Sequence, residues 1–251
     1  MIPDRRGLIF GAGAALALSG CDRVAETRIG KCTLKKAEQA SQRGQRILAR
    51  DRLAPEYQEK DISKDFRANG SVDPAASDYV ALRANGFRDY RLIVDGLVER
   101  PLALSLTDLR RMPSRTQITR HDCVEGWSSI GKWKGARLSA VLSRAGLNPE
   151  ARFVVFHCFD ALDQTEDGDR YYESIDVPEA FHEQTILAYE MNDQILPIQH
   201  GAPIRLRLER QLGYKMAKYI KRIEVVESFA HIAGGKGGYW EDRGYEWYAG
   251  I

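Results

Sequence analysis

Cysteine is scarce in this 251-residue chain, which carries only Cys21, Cys32, Cys123 and Cys158. So few thiols do not make a disulfide scaffold. No two of them stand at C-x-x-C spacing, which removes a zinc clip, and there is no C-x-x-C-H attachment site for haem. Charge of one sign is missing as well. Lys and Arg number 37 against 35 Asp and Glu, a net charge of +2, so nothing argues for nucleic acid or a strongly acidic partner. Internal repeats and low-complexity tracts are absent. A regular alternation of strand and helix is also lacking, which favours an α+β chain over a doubly wound one.

The apolar run Leu8 to Leu18 falls short of the roughly 20 residues that cross a bilayer. Its surroundings read as a secretory signal over residues 1–21, with a basic start, an apolar middle and a small-residue cut. Arg5-Arg6 is a twin-arginine pair. Leu18-Ser-Gly-Cys21 resembles a lipoprotein processing site, at which Cys21 becomes lipidated and N-terminal. Removal of the signal leaves about 230 residues, enough for one sizeable domain.

Residues 22–60 read as a tether. Leu34 to Arg50 is a polar helix in it, with Thr33 as its cap. The domain is expected over 61–251. Strands are expected at Tyr90–Val98 with a break at Gly96, Thr116–Thr119, Phe153–Phe156, Tyr171–Ile175, Pro203–Leu208 and Ile220–Val226. Ser105 and Asp108 have capping-box spacing at a short helix. Leu138–Ala145 reads as a helix stopped by Gly146, and Val177-Pro178 opens another. Asp160–Arg170 reads as an acidic surface loop. The tail from Gly234 to Ile251 is rich in Gly, Tyr and Trp, and its aromatics are expected to be anchored.

The stretch Arg120-His-Asp-Cys123-Val-Glu-Gly-Trp127 holds a lone thiol among ionisable groups at a strand end. Three chemistries are open to Cys123. It is an inert buried thiol, or a nucleophile activated by His121 on the same strand face, or a soft metal ligand. One thiolate cannot retain a metal alone, so the third reading requires a cofactor bringing further ligands. Glu125 would then share the thiolate's side and relay protons or order a water; otherwise it is a solvated loop residue. Arg120 and His121 are candidates to face a substrate. Trp127 and Trp133 read as core or rim aromatics. By pattern alone, Arg205 is an outward strand residue beside Arg207 and Lys218 a solvated lysine.

Taken together, Asn69-Gly70, Cys123-Val-Glu-Gly-Trp127, Ala188-Tyr-Glu-Met-Asn192 with Leu196-Pro197, Gln199-His-Gly-Ala-Pro-Ile-Arg205 and Gly213-Tyr-Lys-Met-Ala-Lys218 resemble the molybdopterin oxidoreductases of the sulfite oxidase fold. The resemblance spans roughly residues 60–230 and is to the branch with the periplasmic methionine sulfoxide reductases. It implies an α+β fold of mixed sheets with short helices, a molybdenum-molybdopterin cofactor with one pterin, and Cys123 as the metal ligand. It implies that Asn69, Cys158, His200, Arg205, Met216, Ala217 and Lys218 bind the cofactor, with Arg205 and Lys218 on the phosphate, to which guanidinium and ammonium are suited. The chain departs from the reductases at three cofactor-lining positions: His200 replaces asparagine, Cys158 threonine and Met216 serine.

The expected activity is oxygen-atom transfer to or from a small molecule, with sulfoxide reduction foremost. Sulfite oxidation is the alternative within the class. A non-catalytic lipoprotein scaffold of the same fold is the alternative outside it, and a Cys/His hydrolase or transferase is a further one. Electrons would pass to or from a separate partner such as a membrane haem protein. The expected setting is the periplasm, with a monomer tethered to the inner membrane through lipid on Cys21 after export in the folded state.

Overall fold

The computed structural model describes residues 52–163 and 169–251, with isolated positions before them. Two compact units divide the chain, Met1–Arg52 and Leu53–Ile251. In the first, the described positions Ile29, Gly30, Cys32, Thr33, Lys36 and Gly44 are helical. Thr33 is therefore inside a helical turn rather than capping one, and its hydroxyl donates to the Ile29 carbonyl at 2.9 Å. The Gly30 N–H instead donates to Thr27 Oγ1 at 3.0 Å. Residues 1–21, with Arg5-Arg6 and Cys21, lie outside the described residues.

The second unit begins ahead of the expected boundary at 61. Ala54 N–H donates to Gln184 Oε1 at 2.7 Å, and Tyr57 N–H to the Ile118 carbonyl at 2.9 Å. These are long-range pairings that no local pattern reveals. Its elements, in order, are α1 (Ser77–Ala84), β1 (Leu92–Gly96), β2 (Leu102–Leu104), α2 (Leu106–Arg111), β3 (Ser114–Asp122), β4 (Ser128–Arg137), α3 (Leu138–Ala145), β5 (Phe153–Ala161), β6 (Arg170–Asp176), α4 (Val177–Ala180), β7 (Ile186–Met191), β8 (Gln194–Ile195), β9 (Arg205–Arg207), β10 (Ile220–Val226) and α5 (Tyr239–Asp242).

One sheet has the order β2-β1-β10-β5-β6; the other runs β3-β4-β7-β8, with β9 also paired to β7. β1 and β10 are parallel, while the remaining ladders are antiparallel. The main core takes Leu92, Phe156 and Ile223 from the first sheet, Leu187 and Leu206 from the second, and Tyr79 from α1. Phe66, Trp133, Ala188 and Met191 pack together in a second cluster.

Several elements follow from local sequence. Leu138, Val141, Leu142 and Ala145 recur at helical spacing and are all buried. The chain leaves α3 through Gly146 at φ +72°, whose N–H donates to the Leu142 carbonyl. The Ser105–Asp108 capping box forms in both directions.

Others do not. β4 was not expected because its inward positions include Gly131, Trp133 and Gly135 rather than a row of aliphatics. Those glycines are dictated by close approach. A Cβ at Gly135 would stand 2.2 Å from the Leu187 carbonyl oxygen, beside a register shift between β4 and β7. β9 was expected to be half-buried, yet Arg205, Leu206 and Arg207 are all buried. Asp160 lies within β5 and is 2% exposed, so the acidic surface loop does not begin there.

Gly135→Ala should therefore cost about 2–3 kcal/mol, since neighbouring backbone must shift to admit the methyl. Urea unfolding should show a lower midpoint at unchanged slope.

Candidate functional site

The β3–β4 hairpin presents Cys123 at its tip. Cys123 N–H donates to the Trp127 carbonyl, and Gly126 N–H returns to the Cys123 carbonyl, both at 2.9 Å. Gly126 sits at φ +88°, a conformation that favours glycine. Asn69 Nδ2 approaches Cys123 Sγ at 3.5 Å. Trp127 Nε1 donates to Glu125 Oε2 at 3.0 Å. That bond first, then one from the Asn69 amide, holds the Glu125 carboxyl below its usual pKa. Glu125 is thus a carboxylate acceptor that orients Trp127 and Asn69 beside Cys123.

Cys123, Asn69 and Glu125 open on a cavity of about 970 Å³, counting its solvent-open mouth. His200, Arg205, Met216 and Lys218 line the same cavity. Cys158 and Ala217, expected at the cofactor, are not among the described residues that line it. Both are core residues. Burial, then the nearby Asp160, pushes the Cys158 thiol well above its usual pKa. The Ala217 carbonyl accepts from Leu206 N–H at 2.8 Å. Both therefore pack behind the cavity lining rather than on it.

Two short turns carry the basic side of the cavity. The first, Ile198–His200, ends at Gly201 with φ +110°, and a Cβ there would stand 2.9 Å from Lys218 Cβ. The second, Gly213–Lys215, packs its glycine on His121: an added Cβ would lie 2.4 Å from the imidazole. Glycine at both positions lets backbone lie directly against site side chains.

Arg205 Nη1 donates to the His200 carbonyl at 3.0 Å, while its buried Nε has no partner among the described residues. Burial, then repulsion from Arg207, depresses its pKa to about 9. Lys218 Nζ donates to the carbonyls of Asn69 at 2.8 Å and Ser71. Burial and then Arg205 bring its pKa down to about 7, against the pull of Asp160. Asp160 itself is raised to about 7 by burial, with Lys218 opposing. Two desolvated cations beside buried backbone form a place where an anion would be stabilised. Ser71 Oγ on the same wall, without a partner among the described residues, could add a further hydrogen bond.

Behind them Arg207 is fully buried. Its Nε and Nη2 bond Glu209 at 2.9 and 2.6 Å, and its guanidinium lies 4.4 Å over Trp133. Its Nη1 lies 3.2 Å from His121 Nδ1, which also touches Met216 Sδ at 3.3 Å. Burial, then Arg207, holds His121 well below its usual pKa and therefore neutral. Arg120 pairs with Asp122 at 2.9 Å on the exposed side, away from a substrate role. Lys215 pairs with Glu173 and Glu241 in the interior. The segment Ala188–Asn192 supplies β7 and its turn, with Asn192 Oδ1 accepting from Lys132 N–H, and does not reach the cavity.

Residues that local reading missed include Phe66 and Ser71. Ser71, two positions after Asn69, carried a signal only through that neighbour. Trp240 and Tyr245 of the tail also line the cavity, in keeping with an anchored tail that shapes its mouth.

This fold and a single-thiol, cation-backed cavity define a molybdopterin-type oxidoreductase domain. The chain belongs to the oxidoreductase molybdopterin binding domain family, whose sequence profile matches residues 80–231. A relative from Azospira oryzae, assigned as a subunit of protein-methionine-sulfoxide reductase, is 40% identical over 200 residues, covering 80% of this chain and 69% of its own. The protein-methionine-sulfoxide reductase catalytic subunit of Campylobacter jejuni is 35% identical over 145 residues, 55% of this chain and 49% of its own. The chain thus spans about half the length of that subunit. Among solved structures, the sulfane dehydrogenase SoxCD from Paracoccus pantotrophus matches with TM-score 0.50 and 25% identity, over 56% of this chain and 39% of that one. The α+β sulfite oxidase fold and the family expected from the motifs are both borne out.

His200 gives a pH test. Burial, then Arg205, lowers its pKa from 6.5 to about 4. The unfolded chain therefore binds more protons between those values, and stability must fall as pH drops from 6.5 toward 4. In cofactor-free protein, His200→Asn should remove up to about 3 kcal/mol of that acid-induced loss, read as a flatter unfolding free energy against pH.

Proposed function

We propose that this chain is a periplasmic molybdopterin-dependent reductase that removes oxygen from an alkyl sulfoxide, yielding the thioether and water with two electrons and two protons. The observation that carries the reading is the placement of the lone Cys123 thiol, the buried Arg205 and the half-buried Lys218 on one cavity. Among the described residues no group of three or more His, Cys, Asp or Glu could hold a metal. A metal at Cys123 would therefore draw its other soft ligands from the cofactor.

Molybdopterin, when bound, supplies dithiolene sulfur ligands and two-electron oxygen-transfer chemistry. The chain's residues fit it. Cys123 supplies the protein thiolate, and the Asn69 amide donates toward that sulfur. Arg205, with its spare Nε, and Lys218 hold the phosphate of the single pterin by charge-assisted bonds. His200 and Met216 bound the cofactor space, while Cys158 and Ala217 support it from the core. Glu125 keeps Trp127 and Asn69 in place.

The substrate reading rests on what is left over. Arg207 is committed to Glu209, and Arg67 lies 3.9 Å from Glu125. Near the hairpin the lining adds Phe66, Trp127, Val124 and the neutral His121, none of them a cation. Sulfite, a dianion, would call for uncommitted cations there, whereas a neutral sulfoxide does not. A thiol-enzyme reading is weakened because His121 Nδ1 is engaged by Arg207 and Met216. The relatives' naming as methionine-sulfoxide reductase subunits agrees with sulfoxide reduction and with a separate electron donor, for which a membrane haem protein is suited. Twin-arginine export of the loaded, folded enzyme and a lipid anchor on Cys21 complete the proposal.

Elemental mass spectrometry with pterin analysis tests it. Wild-type protein from a molybdate-fed host should carry near-stoichiometric molybdenum and pterin. Cys123→Ser should keep the pterin but change metal retention or its absorption spectrum, and Arg205→Ala should lower pterin retention about tenfold or more. Folded wild-type protein with neither metal nor pterin would overturn the reading and promote the scaffold alternative. Separately, Cys21→Ser should move the protein from the membrane fraction to the soluble periplasm, with loss of incorporated fatty acid.

A further inference from the structure

The family profile ends at residue 231, yet Trp240 and Tyr245 from beyond it line the cavity. They are held there by a dense set of ties. Lys215 is buried between Glu173 of β6 and Glu241 of α5. Tyr172 Oη donates to Asp242 Oδ2 at 2.6 Å, and Tyr214 Oη to the Glu246 carbonyl at 2.7 Å. Leu212 N–H donates to the Ala249 carbonyl at 2.9 Å, and Ile251 N–H to the Arg210 carbonyl at 3.0 Å. Lys215 belongs to the same turn as Tyr214, so one short segment both locks the tail and faces the cavity.

The result is a preset aromatic wall. Trp240 stacks on Tyr245 at 5.2 Å and 27°. Tyr214 meets Tyr245 edge-on at 5.2 Å and 87°. Tyr245 is 39% exposed while lining the cavity, so its ring is backed by aromatics yet reachable from solvent. Rigid aromatic surface of this kind binds methylenes and divalent sulfur with little ordering cost.

We propose that Tyr245 is a specificity-determining residue that receives the alkyl arm of the substrate, selecting a methionine-sulfoxide side chain over a small sulfoxide. The proposal rests on the sulfoxide-reductase reading and narrows its substrate class. The tail thereby adds substrate selection to a cavity whose thiolate and phosphate clamp come from within the family domain.

The test uses purified holoenzyme, wild type against Tyr245→Ala and Tyr245→Phe, with pterin content confirmed equal. Steady-state kinetics are taken with N-acetyl-methionine-sulfoxide amide and with dimethyl sulfoxide. Affinity for the thioether product, N-acetyl-methionine amide, is measured by calorimetry without turnover. Tyr245→Ala should lower the selectivity ratio of kcat/KM values about five- to tenfold, mainly through KM for the longer substrate, and weaken thioether binding by a similar factor. Tyr245→Phe should restore both. An unchanged ratio with unchanged thioether affinity overturns the proposal, as does an equal loss for both substrates. Loaded wild type that reduces neither sulfoxide, yet binds the thioether in a Tyr245-dependent way, would sink the sulfoxide reading while supporting the aromatic subsite.

Discussion

The buried Arg207–Glu209 pair is the interaction on which the site depends. A guanidinium with no exposure is costly to desolvate and is tolerated only with its donors matched. Here Glu209 takes two of them, and His121 Nδ1 faces a third. Trp133 of β4 lies against the cation, and Glu209 also accepts from Gln117 of β3 at 2.8 Å. One charge thereby joins β9, β4 and β3. It stands between Arg205, two residues before it on β9, and the hairpin that ends in Cys123. Removing Glu209 would strand a buried cation beneath both halves of the cavity.

The cavity is strained electrostatically in one direction. Arg205 is depressed by burial and then by Arg207, Lys218 by burial and then by Arg205, and burial with these neighbouring cations holds His121 and His200 neutral. The Asp160 carboxyl pulls Lys218 the other way. A bound phosphate reverses the sign of this arrangement, because an anion stabilises each cation that burial penalises. On the proposed reading, cofactor affinity would come from relieving the desolvation of these side chains.

Residues in the family motifs divide by what the backbone does with them. Met216 and Lys218 reach the cavity, while Lys215 in the same run turns inward to fasten the tail and Ala217 faces the core. Ala188–Asn192 is sheet and turn. A motif records which residues accompany one another in sequence; side-chain direction depends on a short turn whose φ and ψ are set by long-range packing. The same reason explains β9, where alternation of Arg with aliphatics suggested one wet face, and a second buried layer around Trp133 removed it.

The sequence by itself determined the family, α3 with its glycine stop, the Ser105 capping box and the last strand, and it singled out the thiol that the fold sets on the cavity. Each of these rests on residue identity at short spacing, where local backbone preference and side-chain chemistry act directly. Only the tertiary structure decided that Cys158 and Ala217 stand behind the wall and that Asp160 is buried. It alone placed β4 on two close-packed glycines and brought Tyr245 to the cavity from beyond the family domain. Those outcomes depend on which surfaces meet across the fold, and on the desolvation and steric exclusion that follow when they do.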